Sequence, residues 1–235
     1  MVTIYNRKRA FTLIELLVVV SIILIGTSLL FVGGGGGGDG VKLSSAQRIV
    51  SSIAQGARGQ AILKGATTRL IIYSENNPAG DPEKWLRYFG VVYLQADDPT
   101  TAGIDESGWV ATTQGTYLPV GIYFDPTTSA TIGDSNWPEA AATMDIDYPR
   151  QSAQQEGSGD EYYFYEFNSN GTVSLDFINT WMVIRAGVLK PGSGDTLEVN
   201  FEDPTLVNLK AALIFRRVGS TTLVTNFGDN NEDVD

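Results

Sequence analysis

The sequence predicts an α+β chain with an N-terminal membrane-spanning helix, a glycine-rich break, and a second amphipathic helix packed on an antiparallel β-sheet or sandwich domain. Three observations support this fold class. Residues 11–32 form one apolar run, residues 44–64 repeat apolar side chains at helical intervals, and the segments after residue 67 are rich in β-branched and aromatic residues. The roughly 200 residues after the apolar run are enough for one domain with its own core.

The apolar run FTLIELLVVVSIILIGTSLLFV covers residues 11–32, and Glu15 is its only charged residue. As an α-helix it would be about 33 Å long, which matches the roughly 30 Å hydrocarbon core of a bilayer. The basic residues Arg7, Lys8 and Arg9 stand just before it, and no acidic residue precedes them. The positive-inside rule therefore predicts a cytoplasmic N-terminus, with the rest of the chain beyond the membrane.

Three interpretations of this apolar segment compete. A cleaved secretory signal would have a shorter apolar region followed by a small-x-small cleavage site. An uncleaved signal anchor explains the length but gives no reason for Glu15, and a carboxylate inside a membrane helix is costly and usually functional. The third interpretation has to account for the basic run and the glutamate together.

The residues RKRAFTLIELLVVVSIILI resemble the signal shared by type IV prepilins and the pseudopilins of type II secretion. In that family a prepilin peptidase of the membrane cuts before the phenylalanine and methylates the new amino terminus. The resemblance implies cleavage and N-methylation at Ala10 and Phe11, so that residues 1–10 are a prepilin leader and Glu15 is the fifth mature residue. The family usually has glycine where this chain has Ala10.

The resemblance also implies a role for Glu15 in assembly. When such helices pack into a filament, the carboxylate can meet the positively charged amino terminus of a neighbouring Phe11. Two charges that are costly alone in lipid then compensate one another. The alternative is a glutamate that simply reaches the lipid headgroups.

The sequence GGGGGGDG at residues 33–40 follows the apolar helix. Because six consecutive glycines carry a large entropy cost in a helix, this run is predicted to be a flexible joint. A phosphate-binding loop is the alternative, but Lys42 and Ser44 do not have the P-loop spacing. The predicted organisation is a leader at 1–10, a transmembrane assembly helix at 11–32, the joint at 33–40, and a helix plus β-rich extracytoplasmic domain at 41–235.

Residues 44–64 are predicted to be the second helix. Ser44 and Gln47 have the spacing of a capping box, and Gly65 is a predicted C-terminal stop. One apolar stripe is expected to pack in the core, namely Ala46, Ile49, Val50, Ile53, Ala57 and Ala61. Six polar side chains are expected to face elsewhere: Gln47, Arg48, Ser51, Ser52, Gln55 and Arg58.

Strands are predicted where β-branched and aromatic residues cluster between turn residues. They lie near residues 67–73, 86–95, 117–124, 162–167, 172–177, 182–188, 196–201, 211–218 and 222–226. Asn170-Gly171 between two apolar runs is a strong hairpin signal. Three polar segments are predicted to be loops, at residues 74–84, 97–116 and 125–160, and the last is long for a compact domain.

A second resemblance covers SSIAQGARGQAILKGATTRLIIY, which is similar to the helix-to-first-strand region of the H-type, or fimbrial T-like, minor pseudopilins. Residues 167–175 and 213–224 resemble two hairpins of the same subtype, with Gly219 in the second turn. The matching positions in the first region are Ala57, Arg58, Ala61, Lys64, Gly65 and residues 70–73.

Composition argues against several classes of function. The chain has no cysteine and no histidine, which removes disulfides, thiol chemistry and the commonest general base and metal ligand. The net charge is −11, so nucleic acid is not expected as a partner. Because no histidine can complete a triad and no G-x-S-x-G motif occurs, neither enzymatic activity nor a cofactor is expected.

The C-terminal segment DNNEDVD contains a weak calcium candidate. Asp229, Asn231 and Asp233 alternate as EF-hand ligands do, but the required glycine and the distal glutamate are missing. The alternative is a solvated acidic tail.

Two other residue sets could carry chemistry. Paired carboxylates could serve glycoside hydrolysis, but carboxylates are too common in this chain for their presence to decide the question. The candidates are Asp145, Asp147, Asp160 and Glu161. Three tryptophans could stack on a ligand, although capping of the core is the expected role of Trp85, Trp109 and Trp137.

These features together lead us to expect a minor pseudopilin or pilin-like structural subunit of a type II secretion or type IV pilus filament. The expected location is a single pass through the bacterial inner membrane, with a periplasmic or filament-borne C-terminal domain. Expected partners are the membrane, prepilin peptidase, other subunits through the N-terminal helix, and secreted cargo as a further candidate. The alternative is a signal-anchored extracytoplasmic binding protein or glycan hydrolase, for which the apolar helix is only a tether.

Overall fold

A computed structural model describes residues 34–78, 80–97, 107–131, 143–194 and 196–225. The chain divides into two compact units, Met1–Asp39 and Gly40–Asp235, and the second contains both large sheets. The described helices are α1 (Gly34–Lys64) and α2 (Pro126–Thr131), with a 3-10 turn at Leu175–Phe177. The described strands are β1 (Thr68–Tyr73), β2 (Tyr88–Gln95), β3 (Gly108–Ala111), β4 (Thr116–Tyr117), β5 (Ile122–Phe124), β6 (Thr143–Ile146), β7 (Asp160–Phe167), β8 (Trp181–Ala186), β9 (Val188–Pro191), β10 (Leu197–Asn200), β11 (Lys210–Phe215) and β12 (Thr221–Thr225).

These strands form three antiparallel sheets. The largest has six strands in the order β3-β2-β1-β7-β6, and β4 also pairs with β2. The second has the order β12-β11-β8-β5, and the third is the β9-β10 pair. The α+β class is therefore confirmed, with a helix followed by a large antiparallel domain.

The core joins α1 to residues of both large sheets. Ala46, Val50, Ala57 and Ala61 are fully buried, and Ile49 and Ile53 pack against the same cluster, which confirms the predicted apolar stripe. Burial of each larger aliphatic side chain contributes about 1.5–3 kcal/mol. The alanines contribute less area, but their small size lets the helix backbone approach the sheets closely.

One tyrosine connects the two large sheets. The ring of Tyr165 on β7 stacks on Phe215 of β11, with 4.3 Å between ring centroids and 21° between planes. Its hydroxyl donates to the carbonyl oxygen of Trp181 on β8 at 3.0 Å. Since Tyr165 is fully buried, this hydrogen bond satisfies a polar group that would otherwise be costly in the core.

The predicted break in helical structure at the glycine run is wrong for the residues that are described, because α1 already begins at Gly34. Glycine makes the same backbone hydrogen bonds as other residues, and extending a formed helix costs only about 1 kcal/mol per glycine relative to alanine. Ser44 consequently lies inside the helix, where its hydroxyl donates to the Gly40 carbonyl at 3.0 Å. The predicted capping box is therefore wrong as well, and residues 34–40 do not form a phosphate-binding loop.

Most predicted strands are confirmed, with three exceptions. The segment near 117–124 is split into β4 and β5, and the one near 182–188 is divided between β8 and β9. Residues 172–177 are not a strand, since Val173 makes an isolated bridge to Phe167 before the 3-10 turn begins. The Asn170-Gly171 turn itself is present, because the Gly171 amide donates to the Asn168 carbonyl at 2.8 Å.

The polar segments predicted to be loops contain two unpredicted strands, β3 and β6. Residues 150–154 then cover the outer edge of β3, where the Trp109 amide donates to Gln154 at 2.8 Å and the Ala111 amide to Arg150 at 2.9 Å. On the far side of the sheet, the Gly157 amide donates to the Asp145 carbonyl at 3.1 Å. The part of the long segment from residue 143 onward is therefore built into the sheet.

The short helix α2 is capped by Asp125. The Thr128 amide donates to its Oδ1 at 3.1 Å, and Pro126 occupies the first helical position. Asp125 is buried and its other oxygen forms an ion pair of 3.0 Å with Arg185 of β8. The Asp-Pro pair is the sequence signal that could have identified this helix start.

Three glycines that were predicted in turns adopt positive φ angles. Gly65 ends α1 at φ +60°, with the Ala66 amide donating to the Ala61 carbonyl at 3.2 Å. Gly219, at φ +81°, lies so close to the neighbouring turn that an added Cβ would overlap the Gly171 carbonyl oxygen. An added Cβ at Gly171 would lie 2.6 Å from the Ile62 side chain of α1. These two turns are therefore packed against each other and against the helix.

Gly219→Ala should lower the free energy of unfolding by at least about 2 kcal/mol, because positive φ costs about 1–2 kcal/mol and the methyl group also overlaps a carbonyl. Gly56→Ala, on α1, is the matched control, since a Cβ added there would meet no atom within 4 Å apart from the helix's own backbone. That substitution should stabilise by about 0.5–1 kcal/mol. Denaturant unfolding measures both changes, and equal effects would contradict the close packing of the two turns.

Candidate functional site

The buried side chain of Gln47 attaches α1 to the four-stranded sheet. Its amide nitrogen donates to the carbonyl oxygens of Ala212 on β11 and Val224 on β12, at 2.9 and 3.0 Å. The expectation that Gln47 faces away from the core is wrong, because both amide hydrogens find backbone acceptors and its burial leaves no donor unpaired. The contact fixes the helix against one specific pair of strands.

The same line of α1 continues through Ser51, Gln55 and Arg58 at helical spacing. The hydroxyls of Ser51 and Thr221 are 2.9 Å apart, and Gln55 donates to the same threonine oxygen at 3.3 Å. Arg58 donates through Nε to the Gly171 carbonyl at 3.2 Å. Directional bonds along more than two helical turns therefore determine which side of α1 faces the domain.

A different face of α1 is exposed and carries small residues. Ser45, Ser52, Gly56 and Gly59 are all exposed, and a Cβ added at either glycine would contact nothing within 4 Å. Glycine lowers helix stability, and the packing of the described domain does not require it at these two positions. Small residues on a helix surface permit close approach of a second helix backbone.

Arg69 on β1 organises a polar cluster on the six-stranded sheet. Its guanidinium pairs with Glu166 at 2.9 Å and with Glu156 at 2.5 Å. The guanidinium carbon also lies 3.9 Å from the centre of the Phe164 ring and 4.2 Å from that of Trp109. Because the Trp109 indole donates to Glu156 at 2.6 Å, the cluster ties the segment before β7 to the sheet.

The tryptophans within the described ranges have a structural role. Trp85 and Trp109 are buried, which confirms the expectation that they cap the core. Trp137 lies outside the described residues. Trp85 and Trp109 therefore do not form an exposed stacking platform for a ligand.

The four carboxylates considered for hydrolysis lie at the β6 end of the six-stranded sheet. Asp145 on β6 and Glu161 on β7 are cross-strand neighbours, and Asp160 is the neighbour of Ile146. Glu161 accepts a hydrogen bond of 3.1 Å from the Ser74 hydroxyl. Asp147 lies 3.7 Å from Arg150. Like charges directly opposite one another on adjacent strands destabilise an isolated sheet, which makes the Asp145–Glu161 pair unusual.

A cluster of tyrosines packs around Tyr162 on β7. Its ring centroid lies 5.5 Å from that of Tyr73 and 6.0 Å from that of Tyr148. The Tyr148 hydroxyl donates to the Thr113 carbonyl at 2.9 Å, whereas the buried Tyr162 hydroxyl has no hydrogen-bond partner among the described residues. Burial raises the pKa of Tyr88 to about 12 and raises that of Tyr162 further.

The residues predicted for processing and assembly lie outside the described ranges. They are Arg7, Lys8, Arg9, Ala10, Phe11 and Glu15. The calcium candidates Asp229, Asn231 and Asp233 also lie outside. Within the described part of the chain, no helix has the length and apolar character needed to cross a bilayer, and no group of acidic side chains is arranged to hold a metal ion.

Comparison with known proteins identifies one family match. Residues 5–31 match the prokaryotic N-terminal methylation motif, which is the signal of type IV prepilins and pseudopilins. No curated protein and no solved structure matches the chain. The match covers the basic run, the predicted cleavage position and almost all of the apolar segment.

Tyr162→Phe should reduce the loss of stability in alkaline solution. The folded chain keeps this phenol neutral, whereas the unfolded chain ionises it near pH 10. The free energy of unfolding is therefore unaffected by this group below about pH 10 and decreases as the pH rises further. At neutral pH the substitution should stabilise by about 1 kcal/mol, since it removes an unpaired buried hydroxyl.

Tyr148→Phe is the control for this experiment, and it should destabilise at neutral pH by about 1 kcal/mol because it loses the bond to Thr113. Chemical unfolding between pH 7 and 11 measures both variants. An unchanged alkaline slope for Tyr162→Phe would count against a neutral, buried phenol.

Proposed function

We propose that this chain is a pilin-like structural subunit, and more specifically a minor pseudopilin, of a type II secretion or type IV pilus filament. The observation that carries the proposal is the N-terminal methylation motif at residues 5–31. A motif of this kind implies processing by a prepilin peptidase and assembly with other pilin subunits.

Processing would convert the N-terminus into an assembly element. Cleavage after Ala10 removes Arg7, Lys8 and Arg9 and leaves the charged amino group of Phe11 at the start of an apolar helix. The carboxylate of Glu15 on a neighbouring subunit then neutralises this amino group inside the bundle. Helix association in lipid depends on packing and on rare polar pairs of this kind.

The structure of the described domain supports a filament role in two ways. The hydrogen bonds of Gln47, Ser51 and Gln55 hold α1 to the sheet. A pull on the helix, or a rotation of it, would therefore move the β-domain with it. The exposed glycines Gly56 and Gly59 leave room for a neighbouring helix. The domain would lie on the periplasmic side of the bacterial inner membrane or on the filament surface, where secreted cargo is a candidate partner.

Mature protein isolated from membranes that contain an active prepilin peptidase should begin at Phe11 and carry one added methyl group. Ala10→Gly should be cleaved at least as fast, since it restores the residue that the family usually has.

Glu15→Gln should be cleaved normally but should enter filaments at least about 10-fold less, because an amide cannot neutralise the amino terminus. N-terminal sequencing, intact mass and sedimentation of filaments measure these outcomes.

A chain that still begins at Met1, in membranes where a control prepilin is cleaved, would contradict the proposal. The apolar segment would then be a tether for an extracytoplasmic binding protein or glycan hydrolase.

A further inference from the structure

The turn after β7 contains the one asparagine of the sequence that is followed by glycine, Asn170. Asn170 is exposed, and its side-chain oxygen accepts hydrogen bonds from the Thr172 amide at 3.0 Å and the Thr172 hydroxyl at 2.7 Å. Bonds to this oxygen withdraw electrons from the side-chain carbon Cγ and make it a better electrophile. The backbone nitrogen of Gly171 is the nucleophile that can close a five-membered ring on Cγ, and glycine has no side chain to obstruct the approach.

Ring closure at this pair needs no reagent other than water. The Gly171 nitrogen forms a bond to Cγ of Asn170 while the Cγ–Nδ2 bond breaks, and the departing amide group takes up the proton of the Gly171 nitrogen and leaves as ammonia. Water then opens the resulting succinimide at one of its two carbonyl groups. The product at position 170 is either aspartate or isoaspartate, whose backbone is one carbon longer. Water enters, ammonia leaves, and no electrons are transferred.

The folded turn holds the Gly171 peptide from two sides. Its N–H donates to the Asn168 carbonyl at 2.8 Å, and its carbonyl accepts a hydrogen bond of 3.2 Å from Nε of Arg58 on α1. Attack on Asn170 requires this N–H to leave its acceptor and the peptide plane to turn toward the side chain. The packing opposes both movements, since even a Cβ added at Gly171 would lie 2.6 Å from the Ile62 side chain.

We propose that Asn170–Gly171 is a site of succinimide formation whose reaction is controlled by the contact between α1 and this turn. While Arg58 holds the Gly171 carbonyl, the electrophile is activated but the nucleophile is withheld. When the turn separates from α1, the nitrogen is released and the ring closes. The inference is independent of the proposed function, because it concerns a covalent change that the chain carries out on itself.

The two products differ in their consequences for the fold. Aspartate at position 170 keeps an oxygen that can accept the same hydrogen bonds from Thr172. Isoaspartate inserts an extra carbon into a turn that has no space for it, because even a Cβ added at Gly219 would overlap the Gly171 carbonyl oxygen. The longer backbone therefore prevents the turn from returning to its place against α1, and a single opening leaves a permanent change.

Incubation of the full-length chain in detergent micelles at mildly alkaline pH, with and without urea, tests the site itself. Deamidation of Asn170 should be at least about 10-fold slower in the folded chain, because only the small open fraction reacts. Mass spectrometry of the peptide that spans the turn measures the rate, and enzymatic methylation measures isoaspartate. In urea Asn168 should react more slowly than Asn170, since the side chain of Ser169 obstructs the approach. Asn170→Gln should not react, because its longer side chain would have to close a six-membered ring.

Arg58→Ala tests the control by α1. Loss of its hydrogen bond should speed deamidation of Asn170 in the folded chain at least about 3-fold. Arg48→Ala, which removes an exposed arginine of the same helix, is the matched control and should leave the rate unchanged. Hydrogen exchange at the Gly171 amide should accelerate by the same factor as deamidation, because both reactions need the same opening. Unfolding curves establish that the variants fold, and Ile62→Ala, at an exposed position beside Gly171, replaces Arg58→Ala if that variant does not.

The products provide a separate readout. Asn170→Asp should unfold at nearly the same denaturant concentration as the unmodified chain, because the bonds from Thr172 are retained. The fraction that contains isoaspartate, separated after incubation in urea and refolded, should unfold at a lower concentration. Equal midpoints for the two products would contradict the close packing of this turn.

Equal rates of deamidation at Asn170 in the folded and urea-unfolded chains would overturn the inference. Equal rates in Arg58→Ala and Arg48→Ala would do the same, since α1 would then have no influence on the reaction. Faster hydrogen exchange at Gly171 without faster deamidation would also overturn it, because the opening would not lead to ring closure.

Discussion

The hydrogen bonds from the buried Gln47 amide to two carbonyl oxygens are the contact on which the rest of the structure depends. An alanine-rich stripe alone would let α1 rotate or slide over the sheet, because apolar contacts have little directional preference. One amide that must satisfy two fixed acceptors permits a single rotation and a single height. That constraint decides which positions of the helix face outward, including Gly56 and Arg48.

The sequence predicts those parts of the fold that depend on local pattern. The apolar stripe of α1, the turns at Gly171 and Gly219, and the longer strands such as β2 and β7 follow from periodicity and turn chemistry. The short strands β3 and β6 do not, because four residues carry little pattern and their pairing is decided by distant partners. Tertiary contacts likewise reverse the expected placement of Gln47, whose polarity suggests exposure until its acceptors are known.

The candidate functional residues likewise divide into those that a local motif predicts and those that only the fold brings together. The motif at residues 5–31 is local and specific, so the sequence alone indicates the family to compare and predicts processing at Ala10 and Phe11. The contact of Arg58 with the turns at Gly171 and Gly219 is not local, because α1 lies more than 100 residues before either turn, and only the folded chain brings them together.

The helical conformation of Gly34–Gly40 has a mechanical consequence. Seven residues occupy about 10 Å as a helix and up to about 25 Å when fully extended. Glycine gains more entropy on unwinding than any other residue, so under tension this stretch yields before the alanine-rich turns that follow it. Unwinding of these seven residues would lengthen the chain by about 14 Å without any change in the β-domain. The glycine run would therefore be the first part of α1 to extend under tension.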